Sequence, residues 1–138
     1  MASENTVVLG AGESGTGAAI LAKCKEGRVF LSDFGKIGQQ YKNVLKNFEI
    51  EFEEGRHDRE RILSAGLIVK SPGIPDSVPL IKAAHEKGIP VISEIEYAGR
   101  YSNAKHICIT GSNGKTTTTL LTHHILKQAG FNAGLAGN

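Results

Sequence analysis

The strongest indication of the fold of this chain is the segment Val7-Val8-Leu9-Gly10-Ala11-Gly12-Glu13-Ser14-Gly15. Its apolar start predicts a buried strand, and its glycines have the spacing G-x-G-x-x-G, followed by a helical pattern over Thr16–Lys25. This order lets a diphosphate approach the backbone and the first N–H groups of the helix. Asp33 ends the second apolar run, where a carboxylate of this kind of fold hydrogen-bonds a ribose hydroxyl. The alternative is a turn that serves only to pack the helix on the strand.

Short apolar runs alternate with helical patterns along the residues that follow. Because parallel strands need helical crossovers, this alternation predicts an α/β fold, a Rossmann-like parallel sheet with helices on both faces. The strands are expected at residues 6–10, 28–32, 49–52, 67–70 and 90–92, and further helices at 37–48 and 58–64.

Two segments of this pattern carry more specific signals. The acidic run Glu49–Glu54 alternates at the period of a strand, which predicts an edge strand. The helix expected over residues 76–87 has a cap at Asp76 or Ser77, a proline in its first turn and Gly88 as its stop.

A third signal is the loop Ser71-Pro72-Gly73-Ile74-Pro75, which follows the fourth expected strand. Ligands of doubly wound sheets bind outside the carboxyl ends of the strands, where Ser71 and Gly73 are placed. The alternative is an ordinary proline-rich turn.

A second anion-binding motif lies in Ile107-Cys108-Ile109-Thr110-Gly111-Ser112-Asn113-Gly114-Lys115-Thr116-Thr117. It predicts a strand over His106–Thr110, a glycine-bracketed turn and a helix over Lys115–Ala129, with a further strand near 132–135. Backbone N–H groups of such a turn surround a triphosphate, the lysine reaches the β- and γ-phosphates, and the next hydroxyl ligates Mg²⁺. Ile109 replaces the first glycine of the full P-loop pattern, so the alternative is a turn with a chance Lys-Thr.

Composition limits the functional classes. The 138 residues carry a net charge of +2, too small to indicate a nucleic-acid or membrane-surface partner. Cys24 and Cys108 lie in apolar stretches, which predicts buried free thiols in a reducing cytoplasm. No signal peptide or membrane span is evident. The polar stretch 99–105 predicts a boundary between a Rossmann-like domain, 1–102, and the incomplete start of a P-loop ATPase domain, 103–138. We therefore expect a fragment.

At these three loops the sequence resembles the Mur ligases, the ATP-dependent amide-forming enzymes of peptidoglycan precursor synthesis. Gly111–Thr117 matches the shortened ATP loop of that family, and Asn113 stands where the L-alanine-adding member typically has His. Ser71–Ile74 is similar to the D-glutamate-adding member. Further matches to that member are Pro79, Ile92–Glu96 and Gly137-Asn138.

The resemblance implies a cytoplasmic, monomeric ligase that activates the carboxylate of UDP-N-acetylmuramoyl-L-alanine as an acyl phosphate and joins it to D-glutamate. It implies no nucleic-acid or membrane partner. Residues 1–102 would bind the UDP substrate, through Gly12, Glu13, Ser14, Gly15, Asp33, Ser71, Gly73 and Asn138. ATP and Mg²⁺ would be held by Gly111, Ser112, Asn113, Gly114, Lys115, Thr116 and Thr117, with Lys115 catalytic and Thr116 the metal ligand.

Other interpretations stay open. An NAD-dependent oxidoreductase domain would suit the first loop with Asp33, although it needs no second loop at 110–117. A non-catalytic nucleotide-sugar-binding module is the other alternative, and the fragment alone is expected to be inactive. Phe34-Gly35 stand where the family often has Thr-Arg, so a cationic contact is missing. His57 lies among charged residues and is expected to be solvated.

Overall fold

The computed structural model describes residues 5–136. The chain divides into two compact units, Met1–Asn103 and Ala104–Asn138. The first unit contains a five-stranded sheet, and the second contains one long helix.

The sheet of the first unit is entirely parallel, with the order β3-β2-β1-β4-β5. Helices connect its strands, so the predicted α/β fold with a parallel sheet is confirmed. The strands are β1 Thr6–Leu9, β2 Val29–Asp33, β3 Glu51–Glu54, β4 Leu67–Lys70 and β5 Val91–Ser93. The helices are α1 Glu13–Glu26, α2 Gln39–Asn47, α3 Arg59–Ile62, α4 Pro79–Glu86 and α5 Glu94–Gly99.

Both faces of this sheet are buried. Successive side chains of a strand point to opposite faces, so Val8 packs with Leu31 and Val69 on one face and Val7 packs with Ile68 on the other. The first cluster includes alanines of α1, and the second includes apolar residues of α4. A sheet covered on both sides explains why its strands are short continuous apolar runs.

The strand order reverses beside β1. The chain proceeds from β1 outward to β3 and then crosses to β4, on the other side of β1. The loops that follow β1 and β4 therefore leave the sheet in different directions and open a crevice at its carboxyl edge. β3 is an edge strand, as predicted, and its residues Glu51 and Glu54 form ion pairs with Arg61 and Lys42.

The opposite end of the sheet holds a hydrogen-bonded carboxylate. Glu26 accepts from Thr6, from the Tyr97 hydroxyl at 2.7 Å and from the Tyr101 hydroxyl at 2.6 Å. Burial raises the pKa of Glu26, but the hydrogen bonds from Thr6, Tyr101 and Tyr97 outweigh it and hold the pKa below its usual 4.5. Burial and the bond to Glu26 raise the pKa of Tyr97. The network ties α1 to α5.

Helix α4 begins later than its sequence predicts. Its N-cap is Val78, in extended conformation, and neither Asp76 nor Ser77 caps it, so that prediction is wrong. The reason is Pro79 at the first helical position, because a residue before proline avoids the helical region and fixes the boundary there. Gly88, with φ of 71°, ends the helix as expected.

In the second unit, α6 spans Lys115–Gln128. The strands predicted at 106–110 and 132–135 are wrong, since the structure has no strand at either place. A strand needs a hydrogen-bonded neighbouring strand. Residues 104–136 contain no strand that could pair with either segment. Neither α6 nor another helix within residues 5–136 is long and apolar enough to cross a membrane.

Both cysteines are exposed, so the expectation of buried thiols is wrong. Cys24 follows the buried Ala22 by two residues of α1, which turns its side chain about 200° away from the packed face at 100° per residue. Cys108 lies in the stretch that forms no strand.

Candidate functional site

The loop between β1 and α1 is shaped by close packing at one glycine and by open space at another. A methyl group on Gly15 would lie 2.0 Å from the carbonyl oxygen of Gly10, so only glycine lets α1 start this close to the end of β1. No atom lies within 4 Å of the corresponding position on Gly12. Gly12 is also the N-cap of α1 and makes no side-chain capping bond. The backbone here is open to a ligand.

The sequence predicts a ribose hydroxyl as the partner of Asp33, whereas within the protein its carboxylate accepts from two backbone amides. Its Oδ2 accepts from the Ala11 amide at 2.6 Å, and its Oδ1 accepts from the Gly35 amide at 2.7 Å. The carboxylate therefore fastens the glycine-rich loop to the end of β2. Because the Ala11 N–H is used in this way, donors to a bound diphosphate have to come from Gly12 and the first turn of α1.

The loop after β4 lies against the glycine-rich loop. The Ser71 amide donates to Leu9 at 2.9 Å, and the Ile74 amide closes a turn onto the Ser71 carbonyl at 3.0 Å. Lys70 donates to the Ile74 carbonyl at 2.8 Å and pairs with Asp76 at 3.3 Å. These contacts hold the turn in place while its exposed residue Gly73 faces open space.

These two loops and the ends of β2 and β3 line an open cavity of about 260 Å³ at the strand reversal. This volume is near the lower end for ligand pockets, which suits one part of a nucleotide better than a whole nucleotide sugar. Four predicted residues line the cavity and three do not. The lining residues are Gly10, Ala11, Gly12, Asp33, Phe34, His57, Ser71, Gly73 and Ile74.

The three predicted residues outside the lining belong to the first turn of α1. Glu13 is exposed and Gly15 is buried. The Ser14 hydroxyl donates to the buried carboxylate of Glu94 at 3.0 Å, which connects α1 to the start of α5. Asn138, also predicted, lies outside the described residues.

Sequence reasoning missed two lining residues, Phe34 and His57. His57 is partly exposed, so the expectation that it is solvated holds only in part: its Nδ1 lies 2.6 Å from the buried Ser32 hydroxyl. Its ring lies 5.7 Å from the ring of Phe34. The available signal was position: His57 follows the end of β3 by three residues, at the same sheet edge as Asp33.

The second glycine-bracketed loop lies in the second unit. Residues 111–114 form an exposed turn, and α6 starts directly after it at Lys115. The N-cap Gly114 is left-handed, with φ of 75°, and makes no side-chain capping bond. The Lys115 ammonium donates to the Gly111 carbonyl at 2.6 Å. The exposed hydroxyls of Thr116 and Thr117 follow in the first turn.

This set of groups fits a magnesium nucleotide chemically. Open amides at the start of α6, one ammonium and adjacent hydroxyls are the donors that bind phosphate oxygens and Mg²⁺. The turn-to-helix order agrees with the predicted motif, although the preceding strand is absent.

Comparison with known proteins places the first unit in a family. Residues 4–93 match the family model described as Mur ligase MurD-like, N-terminal domain. Over 132 residues the chain is 63% identical to the UDP-N-acetylmuramoylalanine–D-glutamate ligase of Bacteroides fragilis. The aligned region covers 96% of this chain and 30% of that protein. The enzyme of the same name from Porphyromonas gingivalis is 58% identical, and the alignment covers 96% of this chain and 29% of that protein. The chain thus spans about 30% of the length of these curated relatives.

Solved structures agree on the fold. A pseudomurein peptide ligase type C from Methanothermus fervidus matches with a TM-score of 0.59 and 30% identity, covering 92% of this chain and 26% of that one. A second match, with a TM-score of 0.66 and 23% identity, is the UDP-N-acetylmuramate:L-alanyl-gamma-D-glutamyl-meso-diaminopimelate ligase from Neisseria meningitides. The match covers 99% of this chain and 44% of that one. At that identity the second match indicates the fold alone.

Proposed function

Because the chain belongs to the Mur ligase MurD-like family through the N-terminal domain at residues 4–93, we propose that it is part of a ligase joining D-glutamate to UDP-N-acetylmuramoyl-L-alanine. The observation that carries this proposal is the 63% identity over 132 residues with a ligase of that name. Since the chain spans 30% of that relative, residues 1–138 alone would bind ligands without turnover.

The first unit would bind the UDP part of the substrate. The nucleoside would occupy the cavity beside Asp33, Ser71 and Gly73, and the diphosphate would lie at Gly12 and the start of α1. The open space at Gly12, which is the N-cap residue of α1, supports this placement. The remaining expected contacts are those of Glu13, Ser14 and Gly15, with Asn138 approaching the sugar or diphosphate.

The second unit would bind ATP and Mg²⁺ through residues 111–117. Lys115 would leave the Gly111 carbonyl and bind β- and γ-phosphate oxygens, while the Thr116 hydroxyl would ligate the metal. ATP supplies the phosphoryl group that converts a poorly reactive carboxylate into an acyl phosphate, and Mg²⁺ neutralises phosphate charge. The role of the chain is to hold and orient these groups, so Lys115 is its one catalytic residue in this proposal.

The proposal includes a cytoplasmic setting in peptidoglycan precursor synthesis and a monomeric state. Its partners are the two small-molecule substrates, without nucleic acid or membrane. The net charge of +2 supports this choice, because strong binding to phosphate backbones or anionic lipids needs a larger positive charge.

Separate titrations of the chain with UDP, NAD and ATP–Mg²⁺ test the proposal, with backbone amide chemical shifts as the readout. We expect UDP to perturb residues 10–15, 33 and 71–73, and ATP–Mg²⁺ to perturb residues 111–117. A response of the first loop to NAD alone would favour the oxidoreductase alternative and overturn the proposal. A response to UDP with none to ATP–Mg²⁺ would favour the non-catalytic binding module.

A further inference from the structure

The cavity at the carboxyl edge of the sheet has one aromatic wall that no predicted contact uses. Phe34 directly follows β2, lines the cavity, and is 72% exposed. An exposed phenylalanine contributes little to the core, and the nearby His57 ring lies 5.7 Å from it between centroids, at an interplanar angle of 45°. An exposed aromatic ring that lines a cavity offers a stacking surface to a planar base.

The hydrogen bonds behind His57 assign its tautomer. The buried Ser32 hydroxyl lies 2.7 Å from Glu53 Oε1 and 2.6 Å from His57 Nδ1, and it has one proton to donate. An ionised carboxylate can only accept, so the Ser32 proton goes to Glu53 and His57 Nδ1 carries a proton that it donates to Ser32. In the neutral ring, the remaining nitrogen, Nε2, is therefore an acceptor. Within residues 5–136 the structure gives Nε2 no partner.

We propose that Phe34 and His57 recognise the base of the bound nucleotide, Phe34 by stacking on it and His57 Nε2 by accepting its imide N–H. The inference rests on the proposed function, which places the nucleoside in this cavity. A uracil ring offers an N–H donor at N3, whereas cytosine presents a lone pair there. An acceptor at Nε2 therefore favours UDP over CDP, and the stacking face favours neither.

Calorimetric titration of the 138-residue chain with UDP and with CDP, in one buffer for all variants, tests both roles. We expect the unchanged chain to bind UDP about tenfold more tightly than CDP. The reason is that the N3–H of uracil donates a hydrogen bond to Nε2, whereas the N3 lone pair of cytosine cannot. Phe34→Ala should weaken both ligands about tenfold and keep their ratio. Phe131→Ala, at an exposed phenylalanine of the second unit, is the matched control and should change neither.

The histidine is tested with two variants, because His57→Ala also removes the bond to Ser32. His57→Asn keeps a side-chain N–H for Ser32 and removes the nitrogen at the Nε2 position. We expect it to fold normally and to bind UDP and CDP equally. His85→Asn, on the exposed side of α4, is the control and should retain the preference for UDP.

The outcomes separate this inference from the function beneath it. UDP binding with an unchanged UDP-to-CDP ratio in His57→Asn and unchanged affinity in Phe34→Ala would overturn the base-recognition roles and leave the ligase proposal standing. Absence of any UDP response in the unchanged chain would overturn the nucleotide site itself, and the base recognition with it. Equal binding of UDP and CDP by the unchanged chain would reject the role of His57 alone.

Discussion

The Asp33 carboxylate accepts a hydrogen bond from the Ala11 amide at 2.6 Å, so the end of β2 holds the glycine-rich loop that follows β1. The same side chain accepts from the Gly35 amide at 2.7 Å. One acidic residue therefore sets the shape of two loops of the cavity, and its first effect on a ligand is through the position of Gly12.

Asp33→Asn is expected to destabilise the chain by about 2 kcal/mol, because an amide nitrogen would face one of the two N–H groups that the carboxylate now accepts. We also expect UDP affinity to fall about tenfold as the loop shifts. Urea unfolding and UDP titration measure the two effects. Glu60→Gln, at an exposed position of α3, should change stability by less than about 0.5 kcal/mol. Unchanged UDP affinity in Asp33→Asn would mean that the loop does not depend on this bond.

Gly15→Ala is expected to cost about 3 kcal/mol or more, because its methyl group would lie 2.0 Å from a backbone oxygen that cannot move aside easily. Gly17→Ala is the matched control on the same helix, since open space surrounds the corresponding position. There the substitution should stabilise the chain by about 0.5–1 kcal/mol. Urea midpoints of the two variants should therefore move in opposite directions. Equal shifts would contradict the close packing of α1 on Gly10.

The Glu26 network predicts a dependence of stability on pH. The pKa of Glu26 is lower in the folded chain than its ordinary 4.5, so the folded state binds this proton less readily than the unfolded state. The resulting stability is present above about pH 4.5 and is lost as the pH falls through the folded-state value. Glu26→Gln should flatten this part of the profile of unfolding free energy against pH. Glu86→Gln, at an exposed residue of α4, should leave the slope as it is, and an equal effect of both variants would refute the network's role.

Lys115→Ala is expected to weaken ATP–Mg²⁺ binding at least tenfold, because it removes the ammonium that lies beside the loop and bonds the Gly111 carbonyl. UDP affinity and the thermal midpoint should stay the same, since Lys115 is exposed. Lys127→Ala, in the last turn of the same helix, serves as the control for loss of a positive charge. If both variants weakened ATP–Mg²⁺ equally, the attraction would be general electrostatics and residues 111–117 would not form the site.

The fold of the first unit could be predicted from sequence because its signals are local and repeated. Continuous apolar runs at regular intervals leave a parallel sheet as the simple arrangement, and the acidic alternation of Glu49–Glu54 identifies an edge. The start of α4 is harder to predict, because Asp76 and Ser77 are typical capping residues, whereas Pro79 sets the boundary. The strands expected at 106–110 and 132–135 failed for another reason: a strand depends on neighbours that local sequence does not reveal.

The candidate site was predicted where backbone spacing decides it and missed where side chains from distant segments meet. The two loops of the cavity carry glycine or proline patterns, and both lie where those patterns indicated. His57 and Ser32 are 25 residues apart, and their bond arises only from the pairing of β2 with β3. The contact of Asp33 with Ala11 is equally invisible in sequence, although the position of Asp33 was predicted.

The two outer strands of the sheet, β3 and β5, are poorly suited to pairing with a strand of another copy of the chain. β3 faces outward with carboxylates that already pair with Lys42 and Arg61, and β5 has only three residues. A strand from another copy would have to displace those ion pairs on one side and would find almost no ladder on the other. Intermolecular β-addition is therefore disfavoured at both margins, and the titrations above can be run at high protein concentration without fibrous association through this sheet.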